Sequence, residues 1–332
     1  MPNTTLIQEF DAIVSSVAED DVRRYLEEAR KCFAAGANNA TVVMAWCGVV
    51  LYFRRVVERI SFDFLAYQLW ALDISQERKE KPEYAFNNWK RPIIENKWQK
   101  VGDLQLLKAC ARVGIRVADQ VRGSEFRIRR NALAHPGMEF VTPEEALDLV
   151  KSGQDVYSHS VRDERFGDIV NLFTYAKQTT DDQAVEQAAR YLSAPDDDIL
   201  EYAHKVLNAF TGSEDASVEG VTGLWKALWS RLDDGRKKSL WKQIERKLQA
   251  ILDDPEAPRR PEDLARFVVW PDPFAEHKAR DRIAEMYITW LEDRVSNDEI
   301  IDDDMVLARG LRQHLSGPLR ERLQRVLEEM IK

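Results

Sequence analysis

The chain has 332 residues, of which 44% are hydrophobic and 32% charged, with a formal net charge of −9 at pH 7. This length predicts two or three domains, and the composition is that of an ordinary globular protein, which excludes disorder as the main state. The charge is uneven, at +1 for residues 1–153 and −10 for residues 154–332. Because phosphate contacts supply most non-specific affinity for nucleic acid, an acidic chain is not a general nucleic-acid coat. Any nucleic acid must meet a local basic site.

The cysteines and the apolar segments predict a protein of the cytoplasm. Cys32, Cys47 and Cys110 are odd in number and widely spaced, so neither a disulfide framework nor a paired-cysteine metal half-site is available. The first ten residues lack the basic and apolar regions of a signal peptide. The longest apolar run, residues 40–53, is shorter than the roughly 18 residues that a membrane span needs. We expect a buried central helix there and no membrane partner.

Apolar residues recur at helical spacing along the chain, which predicts a nearly all-α fold. In the first half we expect helices near residues 3–15, 20–35, 39–60, 62–73, 101–119, 121–135 and 143–151. The polar stretch 76–99 is interpreted as a connecting loop. The most specific helix start is at Thr142, where Thr as N-cap, Pro at the first helical position and Glu145 at the third predict a capping box.

A second helical block follows, and we place the domain boundary near residue 155, giving domains 1–155 and 156–332. Apolar residues in this block recur at a period near 40, which is typical of paired helices stacked as a HEAT-type α-solenoid. The alternative is that any leucine-rich helical domain produces such coincidences. The positions that carry the repeat are Leu192, Leu200, Leu232, Leu240, Ile244, Leu248, Ile283, Tyr287, Leu291, Leu315, Leu323, Leu327 and Ile331.

The stretch with the clearest chemistry is FRIRRNALAHPG, residues 126–137. It resembles the last turns of a buried helix, yet it contains three arginines and a histidine. On a continuous helix Arg130 and His135 would point about 140° apart. Because Pro136 cannot continue a helix and disfavours helical geometry in the residue before it, we expect the imidazole and the guanidinium to converge at the helix end.

An imidazole beside a guanidinium is what metal-free cleavage of RNA requires. A base takes the proton of a ribose 2′-hydroxyl, an acid protonates the leaving 5′-oxygen, and a cation stabilises the negative charge that grows on the phosphorane. His135 fits either proton transfer and Arg130 fits the phosphate, while Arg127 and Arg129 are predicted to contact RNA. One chain supplies one such histidine, so a complete acid/base pair needs two copies facing each other across a dimer axis.

RNALAHPG followed by VTPEEALDLV resembles the HEPN superfamily (higher eukaryotes and prokaryotes nucleotide-binding). Its ribonuclease members carry an R-x(4–6)-H motif, usually with a polar residue after the arginine, and Arg130, Asn131 and His135 match that motif. Residues 27–63 look like the long second and third helices of the same domain, and the resemblance covers residues 15–153. It implies an up-and-down helical bundle, a homodimer that forms the active cleft and metal-independent endoribonuclease activity. It also implies frequent use in toxin–antitoxin or anti-phage defence systems.

These features lead to two function hypotheses. The first is a dimeric endoribonuclease without a cofactor or metal, cleaving RNA at Arg130, Asn131 and His135 as a toxin or defence effector. Its C-terminal domain would regulate it or bind an antitoxin or defence-system protein. The second is a non-catalytic HEPN adaptor that dimerises and binds a protein partner. A coincidental motif in a helical scaffold is a third interpretation. The remaining histidines lie without ligand spacing at His159, His204, His277 and His314.

Overall fold

The computed structural model of the protein describes residues 2–79, 81, 85–95, 101–115, 118–135, 140–211, 218–252, 277–297 and 302–331. Throughout these residues the regular elements are helices, with one isolated parallel bridge between Phe166 and Leu192 and no strand. The predicted all-α fold class is confirmed. The chain divides into two compact units. Unit 1 comprises Met1–Asp168 and Tyr191–Ser193, and unit 2 comprises Ile169–Arg190 and Ala194–Lys332.

Unit 1 contains eleven of the described α-helices and one short 3₁₀ helix. The α-helices are α1 (Thr4–Ser16), α2 (Asp20–Ala34), α3 (Asn38–Ile60), α4 (Phe62–Asp73), α5 (Gln76–Lys79), α6 (Phe86–Glu95), α7 (Asp103–Arg112), α8 (Ala118–Gly123), α9 (Glu125–Leu133), α10 (Pro143–Lys151) and α11 (Gln154–Tyr157), and the 3₁₀ helix is Val161–Asp163. The first four helices and α10 begin and end within one residue of their predicted bounds. The predicted capping box is confirmed, since Thr142 Oγ1 accepts from the Glu145 N–H at 3.2 Å and Glu145 Oε2 accepts from the Thr142 N–H at 2.8 Å.

Helix α3 is the centre of unit 1. It packs against α2, α7, α9 and α10, and Trp46, Tyr52 and Phe53 on it are fully buried. Of the described helices, α3 alone has the length and composition that would let it cross a membrane, yet 61% of its most apolar window is buried inside the protein. The apolar residues that mark this helix in the sequence are therefore core residues of unit 1.

The predicted helix at residues 101–119 is wrong, because the chain breaks into α7 and α8. Gly114 adopts a left-handed conformation with φ of +76°, and the Ile115 N–H donates back to Cys110 O at 3.0 Å to close the end of α7. The next predicted helix, 121–135, begins only at Glu125. Ser124 caps it by accepting from the Arg127 N–H at 3.4 Å.

The stretch 76–99, predicted to be a loop, contains the helices α5 and α6. Phe86 contacts Tyr67 of α4 edge-on at 5.4 Å between ring centroids, and the Lys90 ammonium lies 3.1 Å from Asp63. Helix α6 thus obtains its stability from packing on α4, which its own polar sequence does not indicate. Residues 96–100 lie outside the described part of the chain.

The first unit extends beyond the boundary expected near residue 155. Tyr157 is buried and donates to Ala45 O at 3.3 Å, and the Tyr52 hydroxyl donates to the buried Glu164 carboxylate at 2.5 Å. The Phe166 N–H donates to Tyr191 O at 3.1 Å, which ties the short segment Tyr191–Ser193 to the same unit. The division therefore falls after Asp168.

Unit 2 contains the remaining helices. They are α12 (Ile169–Gln178), α13 (Asp182–Ala189), α14 (Asp196–Thr211), α15 (Val218–Trp229), α16 (Asp234–Leu252), α17 (His277–Ser296), α18 (Asp302–His314) and α19 (Gly317–Glu329). Helix α15 packs against α12, α13 and α14. A Cβ at Gly220 would lie 2.2 Å from Ala176 O, so this approach requires glycine. Trp225 and Trp229 are buried with their rings 5.3 Å apart, so they belong to the core of unit 2.

The HEAT-type solenoid stays a prediction. Most described positions of the leucine repeat are buried, but Leu192 belongs to unit 1 and Ile331 is 65% exposed. Helix α15 also contacts three helices that precede it, whereas a regular solenoid repeat contacts mainly its neighbours.

Candidate active site

Helix α9, which carries the candidate residues, is anchored on the central helix α3. Phe126 is buried and meets the buried Trp46 edge-on, with ring centroids 5.3 Å apart. Leu133, two turns later on the same face, is also buried. With this face fixed, the other sides of α9 present Arg130 and Asn131 towards the surface.

The helix ends just before the candidate histidine. Ala134 is the C-cap, and its N–H donates to Arg130 O at 3.0 Å. The His135 N–H donates to Ala132 O at 3.3 Å, so the backbone turns tightly at this point and the His135 side chain is exposed. The helix predicted at 121–135 thus ends at Leu133, and His135 lies outside helical geometry, as the proline after it predicts. Pro136, to which the sequence attributes this ending, lies outside the described residues.

The Arg130 guanidinium is held by two acceptors. Its Nη1 donates to Asn131 Oδ1 at 2.9 Å, and its Nη2 lies 3.2 Å from Asp103 Oδ2. The side chains of Arg130 and Asp103 are only 27% and 24% exposed, so this ion pair is less screened by water than a surface pair. Within the described part of the protein, the buried Arg130 Nε has no hydrogen-bond partner.

Asp103 joins the site to the core of unit 1. It is the first residue of α7, and its Oδ2, besides pairing with Arg130, accepts from Trp46 Nε1 at 2.8 Å. Helices α3, α7 and α9 thus meet at one carboxylate oxygen. Sequence reasoning missed Asp103, because an acidic residue in the first turn of a helix is already explained by the helix dipole.

The structure brings some of the predicted residues together and not others. Among the described residues, hydrogen bonds and ion pairs join Arg130 to Asn131 and to Asp103 but not to His135. The sequence predicts that the guanidinium and the imidazole converge, but within one chain these two groups make no direct polar contact. What one chain provides is a fixed guanidinium and, five residues later, an exposed imidazole.

The two flanking arginines have different environments. Arg127 is half-buried and its Nε donates to Arg122 O at 2.6 Å, where it satisfies a carbonyl in the last turn of α8. Arg129 is half-buried on α9. Arg127 therefore has a structural contact that the sequence did not indicate, and binding of RNA by either residue stays a prediction.

Cys47 is a further neighbour of the candidate site that the sequence did not single out. It follows Trp46 on α3. Burial raises the pKa of the Cys47 thiol above its ordinary value. By smaller amounts, the positive charge of Arg130 lowers this pKa and the negative charge of Asp103 raises it. The group is therefore a neutral thiol at neutral pH, which does not suit a nucleophile.

Exposed apolar side chains accompany the polar residues of the site. Ile128 is 55% exposed and lies one turn before Asn131 on α9, and Leu104, directly after Asp103, is also exposed. Phe140, five residues after His135, is 88% exposed. Apolar surface next to polar groups is typical of a surface that contacts another protein molecule.

The described residues contain no group of three or more histidine, cysteine, aspartate or glutamate side chains that is arranged to hold a metal ion. Comparison with known proteins identifies no matching family model, no similar curated protein and no similar solved structure. The resemblance to the HEPN superfamily thus depends on the motif at Arg130, Asn131 and His135 and on the helical pattern around it. The geometry of these residues is therefore the basis for a proposed function.

Proposed function

We propose that the chain is a metal-independent endoribonuclease of HEPN type, in which Arg130, Asn131 and His135 form one half of a composite site and a second copy of the chain supplies the other half. The observation that carries the proposal is the end of α9, where a fixed guanidinium is followed five residues later by an exposed imidazole.

The chemistry follows from the groups present. The His135 imidazole of one chain removes the proton from a ribose 2′-hydroxyl, and the 2′-oxygen attacks the adjacent phosphorus. The P–O5′ bond breaks, the 5′-oxygen takes a proton from the protonated His135 imidazolium of the second chain, and a 2′,3′-cyclic phosphate remains. Arg130 donates hydrogen bonds to the phosphate oxygens as their charge grows. The Asn131 carbonyl oxygen orients that guanidinium.

A second copy of the chain is required because one chain contributes a single imidazole to the site. A twofold axis beside α9 would set the two His135 side chains on opposite sides of a phosphate. The exposed Ile128 supports this, since it offers apolar surface on the helix that carries Arg130 and Asn131. The role as a toxin or defence effector belongs to the same proposal. Unit 2, in the acidic part of the chain, would then bind an antitoxin or a defence-system protein.

Cleavage of an unstructured single-stranded RNA in excess EDTA tests this function. We expect cleavage with 2′,3′-cyclic phosphate ends, and losses of about 10²- to 10⁴-fold in rate for His135→Ala and Arg130→Ala. Asn131→Ala should lose less, because an orienting amide carries no charge in the transition state. His204→Ala, a half-buried histidine of unit 2, is the matched control and should cleave like the unmodified chain. Full activity of His135→Ala, 3′-hydroxyl products or a strict magnesium requirement would contradict the proposal.

The second candidate function is the non-catalytic HEPN adaptor. The observation that favours it is the ion pair between Arg130 and Asp103, which already neutralises the cation assigned to phosphate. An adaptor would dimerise through the surface around Ile128 without cleaving RNA. A dimer that leaves RNA intact, and that dissociates in Ile128→Ser, would select this candidate over the ribonuclease.

A further inference from the structure

We infer that Asp103 is a positioning residue of the candidate site, which fixes the Arg130 guanidinium and is itself held in place by Trp46. The catalytic consequence of this inference rests on the proposed function. The contact among the side chains of Asp103, Arg130 and Trp46 does not depend on that function, so it can be tested separately.

One oxygen atom of Asp103 contacts both the indole and the guanidinium. Asp103 Oδ2 accepts a hydrogen bond from Trp46 Nε1 at 2.8 Å and forms an ion pair with Arg130 Nη2 at 3.2 Å. Trp46 is fully buried and also contacts Phe126 of α9 through its ring. The indole therefore fixes the carboxylate and supports the helix that carries Arg130.

The N–H groups of the Arg130 guanidinium are only partly used. A guanidinium has five N–H groups. One on Nη1 donates to Asn131 Oδ1, Nη2 forms the ion pair with Asp103, and the N–H of Nε is buried. At least one N–H on each of Nη1 and Nη2 therefore remains for a phosphate. Because the acceptors lie on α7 and α9, the plane of the guanidinium is defined before any substrate arrives.

A fixed carboxylate positions Arg130, whereas a mobile one competes with phosphate for it. A carboxylate that is to be displaced needs freedom to move. Asp103 has little freedom to move, since its backbone begins α7 and its Oδ2 accepts a hydrogen bond from an indole of the central helix. The half-buried pair also benefits from the charge-assisted contact more than an exposed pair would. Asp103 therefore holds the Arg130 side chain in place.

Single-turnover cleavage and binding of a non-cleavable 2′-O-methyl RNA test the catalytic part. Asp103→Asn keeps an acceptor oxygen for Trp46 but removes the charge beside Arg130. We expect a rate at saturating RNA reduced by about 10- to 100-fold, as for a misplaced catalytic group, with RNA affinity changed by less than about threefold. Asp103→Glu should recover part of that rate. Asp119→Asn, which breaks the surface ion pair with Arg122 on α8, is the matched control and should leave both quantities unchanged.

Two outcomes of this experiment overturn the inference. If Asp103→Asn cleaves faster or binds RNA more tightly, Asp103 competes with phosphate for Arg130. If the variant behaves like the unmodified chain, the ion pair has no role in the site.

A double-mutant cycle separates failure of the inference from failure of the proposed function. Urea unfolding midpoints are compared for Asp103→Asn, Arg130→Gln and the double variant. We expect the double variant to lose clearly less than the sum of the two single losses. Additive losses overturn the contact, whatever the activity. Non-additive losses in a chain that cleaves no RNA leave the positioning contact standing and reject the ribonuclease.

Discussion

The buried tryptophans of unit 1 and unit 2 differ in what their indole N–H groups contact. In unit 1, Trp46 is fully buried and its Nε1 donates to Asp103, which in turn pairs with Arg130. In unit 2, Trp229 and Trp241 are buried with rings 5.5 Å apart, and neither Nε1 has a hydrogen-bond partner among the described residues. A buried indole usually finds an acceptor, so the contrast is informative. Trp46 connects the core of unit 1 to the candidate site, whereas the indoles of Trp229 and Trp241 contribute to packing.

The largest expected effect on stability is in the core of unit 2. Trp229→Ala deletes a large buried side chain that packs against Trp225 and Trp241. We expect the free energy of unfolding of that unit to fall by about 3–5 kcal/mol. Urea unfolding monitored by circular dichroism measures this loss. RNA cleavage per folded molecule should stay unchanged, and a selective loss of catalysis would contradict the division of roles between the units.

A pair of conservative variants sharpens the comparison. Trp46→Phe keeps an aromatic ring but leaves Asp103 without its indole donor, whereas Trp229→Phe removes an N–H that has no acceptor. Loss of a hydrogen bond to a charged group costs about 1.5–3 kcal/mol. We therefore expect Trp46→Phe to destabilise the protein by about 1–2 kcal/mol more than Trp229→Phe. Equal losses in parallel urea titrations would show that the contact with Asp103 contributes nothing.

The reactivity of Cys47 depends on the charges of the candidate site. We expect a smaller effect here than for the tryptophan variants. Burial raises the pKa of its thiol, so at pH 8 less thiolate is present than in the urea-unfolded chain, and alkylation by iodoacetamide should be slower. Arg130 lowers this pKa and Asp103 raises it. Arg130→Ala should therefore slow alkylation further and Asp103→Asn should accelerate it. Mass spectrometry of the Cys47 peptide measures the rates, and shifts of the opposite sign would refute the arrangement of charges.

Much of the fold follows from local sequence. The apolar spacing of residues 40–53 predicts α3, and the chemistry of Thr142 and Glu145 predicts the start of α10, because both signals act within one or two turns. The break at Gly114 was missed, since a single glycine inside a helical pattern is usually tolerated. Helix α6 was missed because its stability comes from contacts with α4, which its own sequence does not contain.

The candidate site could be predicted only in part, because some of its residues are distant from one another in the sequence. Arg130, Asn131 and His135 lie within one short stretch and match a motif that can be read directly. Asp103 and Trp46 approach Arg130 from distant parts of the chain, and their types are ordinary for a helix start and a core. The contact between Arg127 and Arg122 likewise requires the turn between α8 and α9, which the sequence had assigned to one continuous helix.

A subunit-mixing experiment tests the composite ribonuclease site most directly. The unmodified chain is equilibrated with an equal amount of His135→Ala, which at random mixing makes about half of all dimers heterodimers. If both imidazoles are required, activity per unmodified chain falls to about half of its unmixed value. In the control mixture with His204→Ala, activity per total chain stays unchanged. Undiminished activity in the His135→Ala mixture, or sedimentation as a monomer at concentrations that retain full activity, would contradict the composite site.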